Sequence, residues 1–158
     1  ELIAQDIMTP RTVMVTANED ETLQDFFTKN KPFRFSRIPL YKEDLNIITG
    51  VLLKDDVLES IITDQSTTNK LANIKRSIPH VNANNSLRDT FKSITSQKSH
   101  MAIVVDVYGS VLGLVTLEDI IETLFGLEIM DETDTIEDLQ SHARKIWQER
   151  AKKSGLID

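Results

Sequence analysis

Apolar residues fall into short runs and helical stripes that recur twice in the same order. In the first half Thr12–Thr16 reads as a strand, and Thr22 is placed to cap a helix carrying Leu23, Phe26 and Phe27 on one face. The runs Ile38–Tyr41 and Ile47–Leu52, joined by the polar loop Lys42–Asn46, predict a hairpin, and a helix from about Asp55 to Thr63 follows. In the second half Val81 marks a short strand and Ser86 caps a helix bearing Leu87, Phe91 and Ile94. Met101–Asp106 and Val111–Val115 predict a second hairpin turning at Tyr108-Gly109-Ser110, after which an apolar-periodic helix opens at Thr116. Their helical spacings assign Phe26, Phe27, Phe91 and Phe125 to the core.

The recurrence can be checked position by position. Gly50-Val51 aligns with Gly113-Leu114, and Asp56-Val57 with Asp119-Ile120, both at an offset of 63. The pattern Val57, Leu58, Ile61, Ile62 returns as Ile120, Ile121, Leu124, Phe125 at that offset. Earlier blocks, Thr22-Leu23 with Ser86-Leu87 and Arg37–Leu40 with Met101–Val104, align at 64, so one residue is lost in the hairpin loop, where length changes are tolerated. The chain is a tandem duplication in which each unit runs strand, helix, strand, strand, helix. A unit of that size cannot cover both faces of its sheet alone, and two copies packing sheet to sheet solve the problem. The expected class is α/β (α+β), with a first repeat at 1–63, a connector at 64–73 that begins with the polar run DQSTTNK, a second repeat at 74–126, and an acidic linker and C-terminal amphipathic helix at 127–158.

Composition narrows the function. The net charge of −7 argues against nucleic acid as a partner, because phosphate backbones need a basic face. No cysteine excludes a disulfide framework and thiolate metal sites. No apolar run reaches the roughly 18–20 residues that cross a bilayer, so the chain reads as soluble. It opens at Glu1 rather than Met, which suggests a fragment of something longer. His80, His100 and His142 lack metal-ligand spacing, and neither a P-loop nor a nucleophile–base pair is visible, so no enzyme and no metal site is expected.

The candidate chemistry lies at Thr116 and Asp119, three residues apart where the last strand gives way to a helix. Free N–H groups at a helix start receive phosphate, and a carboxylate accepts two hydroxyl donors. The same pair is also a capping box, a role compatible with ligand binding. In the first repeat Leu53 replaces the threonine and the hydroxyl is missing, although Asp56 retains a carboxylate for ribose; one working site per chain follows. In the tail, Glu128, Asp131, Glu132, Asp134, Glu137 and Asp138 precede a helix expected from about Thr135 to Lys153, whose basic end and Gly155 suit the helix dipole and a glycine stop. Ile136, Leu139, Ala143, Ile146 and Trp147 make its apolar stripe, read as a dimer contact.

The pattern Gly-apolar-x-Thr-x-x-Asp after an apolar hairpin, in tandem, resembles a pair of CBS domains (a Bateman module) over roughly residues 3–126. The segments Asp6–Arg11, Ser36–Tyr41, Ala102–Asp106, Thr116–Glu122 and Glu128–Glu132 are similar to the cytosolic CBS pair of the CorC/HlyC hemolysin-like, cyclin M-related magnesium and cation transporters. Val107 departs from that family, whose members usually carry Glu before Tyr-Gly. The resemblance implies a regulatory module binding an adenine nucleotide, Mg-ATP or AMP, with Mg²⁺ carried by the phosphates. It implies a homodimer, covalently joined to a membrane domain and lying on the cytoplasmic face of the membrane. By the same resemblance Asp119 takes the ribose hydroxyls and Thr116 a phosphate. Adenine lies against Ile78, Pro79, His80 and Val81 and the apolar Ala102 and Ile103, and Arg37 of the facing repeat reaches the phosphates. Glu118 and Asp119 bring negative charge toward a triphosphate, which Mg²⁺ or Arg37 would offset, so Mg-ATP is favoured over free ATP. The alternative is a purely structural dimerisation module with a vestigial pocket.

Overall fold

The computed structural model of the chain describes residues 1–63, 68–129, 147–149, 151–152 and 155, with the backbone alone for 127–129. By its contacts the chain divides into two bodies, Glu1–Val115 and Thr116–Asp158.

The elements, in order, are α1 (Ala4–Ile7), β1 (Thr9–Pro10), a 3₁₀ turn at Arg11–Val13, β2 (Ala17–Asn18), α2 (Leu23–Asn30), β3 (Arg37–Lys42), β4 (Asp44–Leu53) and α3 (Lys54–Thr63). A 3₁₀ turn at Leu71–Asn73 leads to β5 (His80–Asn82), α4 (Leu87–Ser96), β6 (Met101–Val105), β7 (Val111–Thr116) and α5 (Leu117–Ile129). From β2 and from β5 onward the order is the expected strand, helix, strand, strand, helix. Both predicted caps are made: Asp25 N–H donates to Thr22 Oγ1 (3.2 Å) and Asp89 N–H to Ser86 Oγ (3.1 Å).

Three expectations need correction. Thr12–Thr16 is not a strand: Val13 and Val15 face solvent, only Met14 packs against a core, and pairing resumes at Ala17. The loop Lys42–Asn46 shrinks to a turn at Glu43, whose φ of 66° closes the chain while Asp44 Oδ1 accepts the Asn46 N–H at 2.7 Å. Phe91 and Phe125 are exposed, whereas Phe26 is buried and stacks on Phe33 at 5.9 Å. On α4 the buried face is Leu87, Thr90 and Ile94, and Phe91 lies one helical step round from it.

Two sheets form, ordered β2-β3-β4 and β1-β7-β6-β5. β4 alternates its side chains between two cores, as a strand of period two must. Leu52 joins Leu23, Phe26, Ile38, Leu40 and Val57 in the core of the first repeat. Its neighbour Val51 joins Ile48, Ile78, Met101, Ile103 and Leu114, where residues of both repeats meet.

Each sheet is finished by the opening segment of the other repeat. β1, ahead of β2 in the first repeat, pairs with β7 through Thr9↔Leu114 and Pro10↔Gly113, and Ala4 and Gln5 N–H groups donate to Asn85 and Ala83 carbonyls. Reciprocally, Arg76, ahead of β5 in the second repeat, bridges to Val51 of β4 with both backbone hydrogen bonds made, at 2.8 and 2.9 Å. The glycines of the duplicated motif permit these approaches. A Cβ on Gly50 would lie 2.6 Å from the Arg76 carbonyl oxygen, and one on Gly113 would clash with that of Thr9. Thr9 and Arg76 therefore stand at matching positions. The second attachment is reinforced by buried Glu19, which accepts from Thr49 Oγ1 at 2.7 Å and pairs with Lys75.

In the second body, Trp147 is 62% exposed and Ala151 is buried. Gly155 has φ +67° and its N–H donates to Lys152 O, the geometry of a glycine stop. The acidic run from Asp131 and the stripe residues Ile136, Leu139, Ala143 and Ile146 lie outside the described residues.

Candidate functional site

At the start of α5 the Asp119 N–H donates to Thr116 Oγ1 at 3.1 Å, so Thr116 caps the helix as its spacing predicts. Only half of a capping box is made, because among the described residues the Asp119 carboxylate has no hydrogen-bond or ion-pair partner. Asp119 is half-buried, and the Thr116 hydroxyl keeps its own proton to donate. An open carboxylate beside a hydroxyl at a helix N-terminus can accept two donors and present N–H groups to an anion.

In the first repeat the corresponding carboxylate is closed. Arg76 Nε–H donates to Asp56 Oδ2 at 2.7 Å and Nη2–H donates to Oδ1 at 2.8 Å, a side-on pair that engages both oxygens. Hydrogen bonding to Asp56, reinforced by its charge, raises the guanidinium pKa above its usual range. Asp56, expected to keep a carboxylate for ribose, is here paired with Arg76.

Ile78, Pro79, His80 and Val81 come together with Ala102 and Ile103 through the parallel pairing of β5 and β6. His80 is opposite Ile103 and Val81 opposite Val104, and Ile103 N–H donates to Pro79 O at 2.8 Å. Ala102 and Ile103 are 0% exposed, so they build the wall from within and offer no apolar side-chain surface. His80 is exposed, while Ile78, Pro79 and Val81 are buried.

Arg37 begins β3 opposite Leu53 and has no ion-pair partner among the described residues. It lines a cavity of about 350 Å³ together with Arg76, Lys98, His100, Ser77 and Ser99, and a second of about 210 Å³ at the start of α3. No acid lines the larger cavity, and of its cationic side chains Arg76 is committed to Asp56, which leaves the charge of Arg37 and Lys98, in a chain of net charge −7. Such a concentration of one sign suits an anionic ligand, and the size suits a small molecule. No motif marks Arg76 or Lys98 in the sequence; the Lys75-Arg76 pair just ahead of Ile78-Pro79 is the available signal. Arg11, by contrast, donates to Asn46 Oδ1 at 2.8 Å, away from this cavity's lining.

The CBS domain family matches residues 71–126. The magnesium and cobalt efflux protein CorC of Salmonella typhimurium is 35% identical over 93% of this chain and 50% of its own length. A UPF0053 protein of Synechocystis sp. is 34% identical over 99% of this chain and 44% of its own. The chain thus spans about half the length of these curated relatives. Among solved structures, the CBS domain of a bacterial CNNM/CorC family Mg²⁺ transporter in complex with ATP superposes with a TM-score of 0.72 at 36% identity, covering 78% of this chain and 87% of that one. A CBS-domain pair with bound AMP from Klebsiella pneumoniae gives 0.69 at 25% identity, covering 80% and 100%. No helix among the described residues is long and apolar enough to cross a membrane.

Proposed function

The chain belongs to the CBS domains of the CNNM/CorC family, a binding module rather than an enzyme, and on that premise we propose that it is the adenine-nucleotide-sensing part of a magnesium or related cation exporter. The observation that carries this reading is the Asp119 carboxylate left open beside the Thr116 hydroxyl, while its counterpart in the first repeat is closed. In the proposed arrangement Asp119 accepts the ribose hydroxyls, Thr116 donates to a phosphate, and adenine lies along the Ile78–Val81 backbone, with Ala102 and Ile103 supporting that wall. Arg37 contributes charge to the phosphates, which arrive with Mg²⁺. The acid-free cavity at Arg37 supports an anionic ligand for that part of the molecule, and neither Thr116 nor Asp119 is among its lining residues. In the full-length protein the module acts as a homodimer at the cytoplasmic face of the membrane, joined to a membrane domain. Nucleotide biases that domain only by its differential affinity for two conformations.

Thermal unfolding with AMP, ADP and ATP, each with and without Mg²⁺, tests the reading. A site filled to 100 times its dissociation constant adds about 2.7 kcal/mol, which for a chain of this size raises Tm by roughly 5–10 °C. The expected result is a rise with Mg-ATP that disappears in Asp119→Ala. Folded, ligand-free protein that responds to no nucleotide would instead establish a structural dimerisation module with a vestigial pocket.

A further inference from the structure

The two repeats carry the same aspartate at the same register, yet among the described residues only one of these carboxylates has a partner. We propose that Arg76 occupies in the first repeat the place that a ribose takes in the second, and that this arginine limits the chain to one nucleotide. The proposal rests on the nucleotide reading above and extends it to the half of the molecule that the reading leaves silent.

A ribose presents two neighbouring hydroxyl donors to one carboxylate. The Nε–H and Nη2–H of a guanidinium likewise present two neighbouring donors on one edge, and here they meet both oxygens of Asp56. The guanidinium has the advantage of charge, since a charge-assisted pair is about twice as strong as a neutral one. The Arg76 backbone is also fixed in place, while its side chain, 62% exposed, reaches Asp56 from the solvent side. That backbone is bonded in both directions to Val51, and Gly50 lies so close beneath its carbonyl that no side chain fits there. The side chain starts from a pinned Cα, and the Asp56 side chain is 20% exposed with the arginine across it. At the matching position ahead of β7 stands Thr9, which is uncharged. Leu53, where the second repeat has Thr116, supplies no hydroxyl to a competing ligand.

The test is the number of nucleotides bound per folded chain, measured by isothermal titration calorimetry with Mg-ATP on the wild type, Leu53→Thr, Arg76→Ala and the double variant. Arg76→Met in the Leu53→Thr background keeps the length of the side chain without its charge, should the alanine variant fold poorly. The wild type and Leu53→Thr are expected to bind one equivalent. Both double variants are expected to bind two, and a second equivalent in Arg76→Ala alone would support the proposal equally. Two equivalents in Leu53→Thr with Arg76 intact would overturn it, as would one equivalent in every variant lacking Arg76. A wild type that binds none would defeat the nucleotide reading itself, and this proposal with it.

Discussion

Replacing Gly113 by alanine separates two effects of opposite sign. At a position whose backbone suits any residue, Gly→Ala stabilises by about 0.4–1 kcal/mol, because the unfolded chain has less freedom to lose. The Gly113 backbone is of that kind, being an interior residue of β7. The new methyl, however, would fall inside van der Waals contact with the Thr9 carbonyl oxygen, and backbone cannot swing aside as a side-chain tip can. Relief requires β1 to lift from β7. That loosens the Thr9↔Leu114 and Pro10↔Gly113 pairing, where each lost hydrogen bond costs about 0.5–1.5 kcal/mol. Overpacking of this kind costs about 1–3 kcal/mol. The clash wins, and a net loss of about 2 kcal/mol lowers Tm by roughly 4–8 °C. Gly109→Ala is the control: nothing lies near its Cβ, but φ is +83°, so it carries only the left-handed backbone cost of about 1–2 kcal/mol. Calorimetry gives the shift, and hydrogen exchange at Ala4 and Gln5, whose N–H groups bond to Asn85 and Ala83, reports whether the N-terminal segment has come away. An unchanged or raised Tm in Gly113→Ala, or a loss with those two amides still protected, would refute the reasoning.

Glu19 gives a pH signature. Hydrogen bonds from Lys75 first and Thr49 second hold its carboxyl below the usual range, more than offsetting burial. A depressed folded pKa contributes stability that is whole above the unfolded value, near 4.3, and fades as pH falls through the folded one. The stability gap between wild type and Glu19→Gln should therefore be widest near neutrality and narrow below about pH 4; a gap constant down to pH 3 would exclude the mechanism. Leu71 is wholly buried in the first-repeat core although it belongs to the connector, so Leu71→Ala should cost about 2–5 kcal/mol in urea unfolding. A cost below 1 kcal/mol would mean that the connector is not a structural member.

What the sequence discloses is what is local or periodic. The offset of 63, the caps at Thr22 and Ser86 and both hairpins are visible because each rests on residues within a few positions of one another. Thr116 and Asp119 are legible for the same reason. The attachments of Thr9–Pro10 to β7 and of Arg76 to β4 are not, because two-residue pairings between distant segments leave no periodic trace. Asp56 illustrates the consequence: its residue type and register are those of a ribose acceptor, and only the fold brings an arginine from 20 residues away onto it. Phe91 shows the limit of spacing within a helix, since one 100° step decides between core and solvent.

The reciprocal completion of the two sheets makes each repeat dependent on the other. A single repeat made alone would carry an orphan arm at its start and an unclosed edge at its motif glycine, and the nearest object able to satisfy both is another copy of itself. The tandem chain supplies that copy within itself, so its two halves can differ in sequence, as Leu53 and Thr116 do, while each still closes the sheet of the other.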